Sequence, residues 1–325
     1  GERLYMKNDN KKDVILYLVI PCYNEEEMLG ITTEALNEKM KKLIKDKKIS
    51  KNSKVLYVND GSKDNTWELI QKIHEENDMF GGVKLSRNRG HQNALLAGLM
   101  VAKKYADITI SMDADLQDDI SVIDKMLEEY QNGAEIVYGV RSSRKKDTFF
   151  KKFTAEGFYK FMKLMGVEIV FNHADCRLMS KLALEGLEQF DEVNLFLRGI
   201  VPQIGYKTAI AYYERNERVA GESKYPLKKM LKFAVDGITS FSVVPLRLIT
   251  SLGFFMSLFS FCVLIYALIV KIIGHTVSGW TFIIFSIWLV AGIQMLSLGI
   301  IGEYIGKIYK ETKRRPKYII EKELL

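Results

Sequence analysis

Short apolar segments alternate with amphipathic ones along the first half of the chain. The apolar segments are rich in branched residues, as is typical of strands buried on both faces. They span residues 14–20, 54–58, 82–85, 107–112 and 135–139. Between them, hydrophobic residues recur at helical spacing over 26–45, 65–77, 92–105 and 121–131. The alternation predicts an α/β domain whose mostly parallel sheet is covered by helices on both faces.

Two long runs without a charged residue follow this domain, at 248–270 and 280–301. At about 1.5 Å per helical residue, each run reaches ~33–35 Å, enough to cross the ~30 Å hydrocarbon core of a bilayer. The connection 271–279 is short, which favours an antiparallel hairpin. A pair of buried core helices is the other interpretation of such runs, but the pattern favours two transmembrane helices.

A third apolar pattern precedes the hairpin. Over 226–245, hydrophobic residues recur at helical spacing opposite Lys228, Lys229 and Lys232. This pattern predicts an amphipathic helix lying in the membrane interface, although a helix packed on the α/β domain fits it as well. The expected organisation has five parts. They are a flexible tail or cloning remnant at 1–13, the α/β domain at 14–225, the interfacial helix at 226–245, the hairpin at 246–306 and a basic cytoplasmic tail at 307–325.

The net charge of +7 is concentrated around the apolar runs. Residues 1–213 are neutral overall, with 32 basic and 32 acidic residues, whereas 214–247 and 303–325 each carry seven basic and four acidic residues. This placement fits anionic lipid head groups better than nucleic acid. Since cationic segments stay inside, we expect a multi-pass protein of the cell membrane whose large domain and both termini are cytoplasmic.

Polar clusters follow four of the expected strands, at 23–25, 60–62, 86–88 and 113–115. The carboxyl ends of parallel strands meet at one edge of a sheet, where ligands of such folds bind. Asp113 and Asp115 stand two residues apart at a strand end, a pattern able to hold Mg²⁺ or Mn²⁺ beside phosphates. A solvated loop would look similar, but Asp60 and Arg87 at neighbouring strand ends favour a metal site.

These segments resemble the family 2 glycosyltransferases of the GT-A fold. The resemblance rests on VIPCYNEE at 19–26, VNDGS at 58–62, DADLQD at 113–118, GVR at 139–141, DCRL at 175–178, LRG at 197–199 and GESKY at 221–225. Their order is similar to that in polyisoprenyl-phosphate glycosyltransferases, such as bactoprenol glucosyltransferases and, more distantly, dolichol-phosphate mannose synthase. The resemblance covers about residues 14–310 of the chain.

The resemblance implies a binding site for a nucleotide-sugar donor. Asp113 and Asp115 would hold the metal ion on its diphosphate. Arg87 would assist the diphosphate, or else be an ordinary surface arginine. The residues implied in donor binding are Pro21, Tyr23, Glu25, Asp60, Arg87 and Asp113.

The resemblance also implies a lipid-phosphate acceptor. Arg141, Arg198 and Lys224 would bind its phosphate, with the two arginines also serving as catalytic groups. Asp175 would act as a base or orient the acceptor, although a helix-capping role also fits its position. The implied reaction is inverting transfer of one sugar, from UDP-glucose or UDP-GlcNAc, to undecaprenyl phosphate at the cytoplasmic face.

Three other functions remain as hypotheses from the sequence. GDP-mannose is an alternative donor, and a catalytically silent, nucleotide-sugar-binding scaffold is an alternative of another class. A processive polysaccharide synthase is disfavoured because the chain has two long apolar runs and no QxxRW motif. Relatives also suggest a homo-oligomer, such as a tetramer.

Overall fold

The computed structural model describes residues 13–141, 165, 173–193, 195–214, 238–239, 242–273 and 279–325. The chain divides into two compact units. The first contains the described residues between 13 and 141, between 173 and 214, and from 316 to 325. The second contains the two long C-terminal helices. Each unit is described by itself.

The first unit contains alternating strands and helices, followed by a more irregular second half. Its strands are β1 (Leu16–Cys22), β2 (Lys54–Asn59), β3 (Phe80–Leu85), β4 (Ile108–Ser111), β5 (Ile136–Arg141), β6 (His173–Ser180), β7 (Thr208–Tyr213) and β8 (Ile320–Leu324). Its helices are α1 (Glu26–Lys45), α2 (Thr66–Glu76), α3 (His91–Ala102), α4 (Val122–Gln131), α5 (Lys181–Glu188) and α6 (Leu197–Gln203).

The strands form one eight-stranded sheet in the order β7-β5-β6-β4-β1-β2-β3-β8. Strands β1 to β4 run parallel to one another, and β5 and β7 run in the same direction. Strand β6 is antiparallel to β4 and β5, and β8 is antiparallel to β3. The predicted mostly parallel α/β sheet is therefore confirmed. All seven residues of the central strand β1 are buried, as expected of a strand covered on both faces.

The edge strand β8 reaches the sheet through a close backbone approach. A Cβ atom on Gly81 of β3 would lie 2.7 Å from the carbonyl oxygen of Leu324, so glycine is required for this pairing. Glu321 of β8 also forms an ion pair with Lys84 of β3 at 3.1 Å. Part of the segment expected to be a basic tail, 307–325, thus forms a strand in the sheet of the first unit.

The second unit contains α7 (Val244–Ile272) and α8 (Trp280–Thr312). Both are long and apolar enough to cross a membrane. Large apolar side chains on α7 are exposed rather than packed, with Phe254, Phe255 and Phe259 each about two-thirds exposed. Buried core helices would hide these side chains, so that interpretation of the two runs does not fit.

Helix α8 continues past the apolar run and ends at Thr312, inside the segment expected to be a tail. The charged residues from Glu303 onward end the apolar run, but lysine and glutamate are good helix formers and do not end the helix. The predicted interfacial helix at 226–245 lies mostly outside the described residues, as does Lys224.

Candidate active site

Several hydrogen bonds join the segments that follow β1 and β2. The Asn24 N–H donates to Ser62 Oγ at 3.0 Å, and the Lys63 N–H donates to Asn24 Oδ1 at 2.9 Å. The Glu25 N–H donates to Thr66 Oγ1 at 3.0 Å. Asn24 takes a left-handed conformation, with φ of 55°, which asparagine tolerates better than most residues. These contacts fix the first two loops at the carboxyl edge of the sheet as one piece.

Asp60 joins the second loop to the third. Its carboxylate is buried and accepts the N–H groups of Arg89 at 2.7 Å and Gly90 at 2.9 Å. Burial raises the pKa of Asp60, and the two backbone N–H groups oppose that shift. Gly61 allows the second loop to approach the third closely, because a Cβ atom at this position would lie 2.5 Å from the backbone nitrogen of Asn88. Asp60 therefore fixes the backbone at the start of α3.

Three potential metal ligands converge at this edge: His91, Asp113 and Asp175. His91 is the first residue of α3, Asp113 lies just beyond β4, and Asp175 belongs to β6. Nε2 of His91 is 3.6 Å from Oδ1 of Asp113 and 3.7 Å from Oδ2 of Asp175. One ligand atom from each of the three lies within 4.8 Å of the others. An imidazole with two carboxylates is a donor set that suits a divalent metal ion.

The antiparallel direction of β6 brings Asp175 to the edge where the parallel strands end. Ser111, the last residue of β4, donates its hydroxyl to the backbone carbonyl of Asp175 at 2.6 Å. Arg198, near the start of α6, donates from Nε and Nη2 to the two Asp175 oxygens, each at 3.0 Å. The Leu197 N–H donates to Gln92 Oε1 at 2.9 Å, which fixes α6 beside the start of α3. Arg198 and Asp175 thus form a bidentate pair, the geometry in which arginine binds carboxylates most specifically.

Asp175 is ionised despite its surroundings. Burial alone would raise the pKa of Asp175, but the charge and hydrogen bonds of Arg198, with His91 and Arg177 nearby, more than offset it. Its pKa therefore lies well below the usual range. Arg177 itself is buried beneath the site, with its guanidinium 5.6 Å from the centre of the Tyr138 ring. A carboxylate in this field is a good ligand for cations and a poor proton acceptor.

Asp113 experiences the opposite balance. Burial raises the pKa of Asp113 to about 6, Asp175, Asp118 and Asp115 add to the shift, and His91 opposes it. The side chain keeps 38% of its surface exposed toward the open edge, so a ligand can reach it. A cation bound at this point of the edge would stabilise the clustered negative charge.

The loop after β4 is held by contacts from α1 and β7 and by a hydrogen bond within the loop. Thr32 of α1 donates its hydroxyl to the Ala114 carbonyl at 2.6 Å, and Tyr213 of β7 donates to the buried Asp118 carboxylate. Asp115 accepts the Gln117 N–H at 3.2 Å. Asp115 lies on the same loop as Asp113, but the ligand group found among the described residues contains Asp113 with His91 and Asp175.

Comparison with known proteins identifies the family of the chain that contains this site. A model of glycosyl transferase family 2 matches residues 17–187, more than half of the chain. The chain belongs to glycosyl transferase family 2. The matched stretch includes His91, Asp113 and Asp175, so all three potential metal ligands lie within the part of the chain that defines the family. The predicted family is confirmed, and the chain is a glycosyltransferase.

This family 2 glycosyltransferase has relatives that match it along nearly its whole length. It is 55% identical to the uncharacterized glycosyltransferase YkoT of Bacillus subtilis (strain 168), covering 95% of this chain and 92% of that one. It is 39% identical to the bactoprenol glucosyl transferase of Shigella phage SfV, covering 94% and 98%. The prophage bactoprenol glucosyl transferase homolog of Escherichia coli (strain K12) is also 39% identical, with coverage of 94% and 98%.

The glycosyltransferase places the remaining predicted site residues in different surroundings. Pro21 is buried within β1, Tyr23 is 41% exposed, and Arg87 is exposed on the loop after β3. Arg141 is the last residue of β5 and pairs with Tyr213 of β7, but its side chain lies outside the described part of the structure. The donor-binding and phosphate-binding roles of these residues stay predictions.

Sequence reasoning missed His91. The helical pattern over 92–105 starts one residue after His91, which the structure shows as the first residue of α3. The available signal was positional: His91 follows Gly90 in the connection between β3 and the next helix, at the edge of the sheet where β3 ends. A titratable residue at that point of an α/β fold is a candidate site residue.

Proposed function

We propose that this glycosyltransferase transfers a single sugar from a nucleotide-sugar donor to undecaprenyl phosphate or a similar polyprenyl phosphate, with Mg²⁺ or Mn²⁺ as cofactor. The donor we favour is UDP-glucose or UDP-GlcNAc. The observation that carries the proposal is the hydrogen-bonded pair of Arg198 with Asp175, which is itself a member of the metal-ligand group. It puts a cation suited to a phosphate next to carboxylates suited to a metal ion. The names of two relatives at 39% identity support bactoprenol as the lipid.

The donor side of the site is built from carboxylates and loop backbone. His91, Asp113 and Asp175 would hold the divalent ion, with Asp115 supplying further negative charge from the same loop. When bound, such an ion stabilises the negative charge that develops on a leaving nucleoside diphosphate. The nucleotide would contact Pro21, Tyr23, Glu25, Asp60 and Arg87.

The acceptor side needs positive charge more than it needs a base. A lipid phosphate is already ionised near neutral pH, since the second pKa of a phosphate monoester is about 6. The obstacle is repulsion from the donor diphosphate, which Arg198 offsets together with the proposed phosphate ligands Arg141 and Lys224. Asp175, with its lowered pKa, orients Arg198 rather than removing a proton. In-line attack by the phosphate oxygen then inverts the sugar carbon, giving a β-linked product from an α-linked donor.

The second unit would place this chemistry at the membrane. We propose that α7 and α8 cross the cell membrane as a hairpin, with the catalytic unit and both termini in the cytoplasm. The basic residues before α7 and in the last turns of α8 favour that orientation. The segment 226–245 would lie on the cytoplasmic leaflet among membrane lipids, and the protein would work as a homo-oligomer.

The test is nucleotide release by the detergent-purified full-length protein. A panel of UDP- and GDP-sugars is incubated with Mn²⁺ or Mg²⁺, with and without undecaprenyl phosphate. We expect UDP release that requires the lipid and one donor. Lipid-dependent release from GDP-mannose alone would replace the donor assignment, and nucleotide binding without release from any donor would support the scaffold hypothesis.

The acceptor assignment has its own test, Arg198→Ala. Hydrogen bonds to charged groups contribute about 1.5–3 kcal/mol, so we expect KM for the lipid phosphate to rise about 10- to 100-fold. KM for the nucleotide-sugar should change much less. Lys103→Ala, which removes a lysine paired with Glu188, is the matched control and should leave both constants near wild type. A selective rise in the donor KM with Arg198→Ala would move this arginine to the donor side.

A further inference from the structure

We propose that His91 is a nitrogen ligand of the divalent ion and that it makes this site select Mn²⁺ over Mg²⁺. The inference rests on the proposed function only in taking the edge to bind a divalent ion. It adds direct nitrogen coordination by His91 and the resulting preference between the two metal ions.

The spacing of the three side chains is the first argument. At 3.6 and 3.7 Å, His91 Nε2 is too far from both carboxylate oxygens for a hydrogen bond, which needs about 2.7–3.2 Å. Ligand atoms bound at about 2.1 Å to one ion lie roughly 3.0–3.4 Å apart when they are neighbours in octahedral or tetrahedral geometry. The observed separations thus fit neighbouring ligands of one ion after a small contraction.

The backbone that carries His91 is fixed before any ligand arrives. Asp60 accepts the N–H groups of the two residues before His91, Arg89 and Gly90, from a buried position. Gln92, the residue after His91, accepts the Leu197 N–H. The imidazole therefore starts from a backbone held on both sides, which lowers the entropic cost of ligation.

The donor atoms decide the metal preference. Mg²⁺ prefers oxygen ligands in octahedral geometry, whereas an imidazole nitrogen suits transition metals. Three protein ligands also leave coordination positions for diphosphate oxygens and water. A site with one nitrogen and two carboxylate oxygens therefore favours Mn²⁺, and Co²⁺ more strongly still, over Mg²⁺.

The measurement is electron spin-echo envelope modulation of Mn²⁺ bound to the full-length protein, without donor or acceptor. This spectrum detects the ¹⁴N nucleus of a directly bound imidazole. We expect ¹⁴N modulation in the wild-type protein. Its absence in wild type with bound Mn²⁺ would overturn the proposal whatever any variant does.

Three matched variants identify which histidine is bound. His91→Gln should remove the ¹⁴N modulation, and His74→Gln should retain it, because His74 lies on α2 with its Nδ1 2.6 Å from the Phe80 carbonyl oxygen. His173→Gln tests the histidine two residues before Asp175. Loss of the signal in His173→Gln and its retention in His91→Gln would also overturn the proposal. Near-ultraviolet circular dichroism checks that each variant is folded.

Titration gives the metal preference. His91→Gln should weaken Mn²⁺ binding about tenfold or more, with a much smaller effect on Mg²⁺. Wild-type protein that binds the two ions equally well would contradict the stated selectivity. A Mn²⁺–His91 signal in protein without lipid-dependent turnover would support this inference while the proposed function fails. Turnover without the signal would overturn this inference alone.

Discussion

The catalytic edge and the two long helices depart from the ordinary arrangement of a globular protein in opposite ways. At the edge, the charged side chains of Asp175 and Arg198 are mostly buried, with about three-quarters and about 70% of their surfaces removed from solvent. On α7, Phe254 and Phe259 are each 66% exposed. Charge is withdrawn from water in one region, and apolar surface is presented in the other.

The difference shows that the two regions are adapted to different surroundings. Partly buried charges are stable only when paired, and the edge pairs Asp175 with Arg198 while leaving room for a further cation. Exposed aromatic and aliphatic side chains are stable only in an apolar solvent or against a partner. A site for ionic ligands and a large exposed apolar surface therefore occur in one chain, which agrees with the proposed transfer to a lipid phosphate at a membrane.

The largest expected effect is at the edge, for Asp175→Asn. The amide cannot balance Arg198 or bind a metal ion as a carboxylate does, so we expect turnover to fall about 10²- to 10³-fold. The assay is lipid-dependent nucleotide release at saturating donor. Asp119→Asn is the matched control, because Asp119 follows the same loop and its carboxylate accepts hydrogen bonds from the N–H and the hydroxyl of Ser121. Equal losses in both variants would indicate general disturbance of the loop rather than a role for Asp175.

The next effect concerns α7. Leu258 is 51% exposed near the middle of its apolar run, and arginine at a helix centre costs about 2.5–3.5 kcal/mol on membrane-insertion scales. We expect Leu258→Arg to raise the insertion free energy of α7 by about that amount, measured by glycosylation mapping in microsomes, with Leu258→Ala much closer to wild type. If α7 faced water instead, Leu258→Arg would leave the protein in the soluble fraction and equally stable.

The smallest effect concerns a partly exposed ion cluster whose residues belong neither to the metal-ligand group nor to α7. Asp124 of α4 is 36% exposed and accepts hydrogen bonds from Lys39 and Lys48. Burial acts to raise the pKa of Asp124, but the two lysines outweigh it and the pKa is lowered. Since solvent screens the pair, Asp124→Asn should reduce the free energy of unfolding at pH 7 by about 1 kcal/mol or less.

The pH dependence of this cluster has a defined sign. A carboxylate with a lowered native pKa stabilises the protein above its unfolded pKa of about 3.9, and the stabilisation is lost as pH falls through the native value. Thermal unfolding of wild type should therefore lose more stability below about pH 4 than Asp124→Asn does. Parallel pH profiles for the two proteins would show that the lysines do not act through this charge.

Much of the first unit was predictable because its pattern is local. The alternation of apolar and amphipathic segments correctly indicated β1 to β5 and α1 to α4, and with them the edge where Asp60, Asp113 and Arg87 lie. The family followed from motifs at those strand ends. These signals are robust because a strand buried on both faces must be apolar, whatever its neighbours are.

The later strands were not predictable in the same way. In β6, Asp175 and Arg177 interrupt the apolar run, and both are charged because one faces the site and the other lies buried beneath it. In β8, charged residues fill the strand because it forms the outer edge of the sheet, where charge prevents further pairing. In both cases the position of the strand in the folded sheet determines its composition, and this position cannot be predicted from the local spacing of hydrophobic residues.

The candidate site, like the sheet, was only partly predictable from the sequence. Asp113 and Asp175 were identified from their motifs, but the pairing of Asp175 with Arg198 depends on an antiparallel strand and a distant helix. The contact of Asp60 with Arg89 and Gly90 also depends on how two loops meet. Residue types can therefore be predicted from sequence, whereas partners depend on the assembled sheet.

The pairing of β8 with β3 has a consequence for the order of synthesis. Strand β3 is made early, yet its antiparallel partner follows α7 and α8 in the chain. Until the ribosome has released residues 320–324, β3 has an open edge in which Gly81 and Gly82 are adjacent. If the long helices enter a membrane as they are made, as we propose, the sheet gains its last strand only afterwards, and the first unit completes its folding at that membrane.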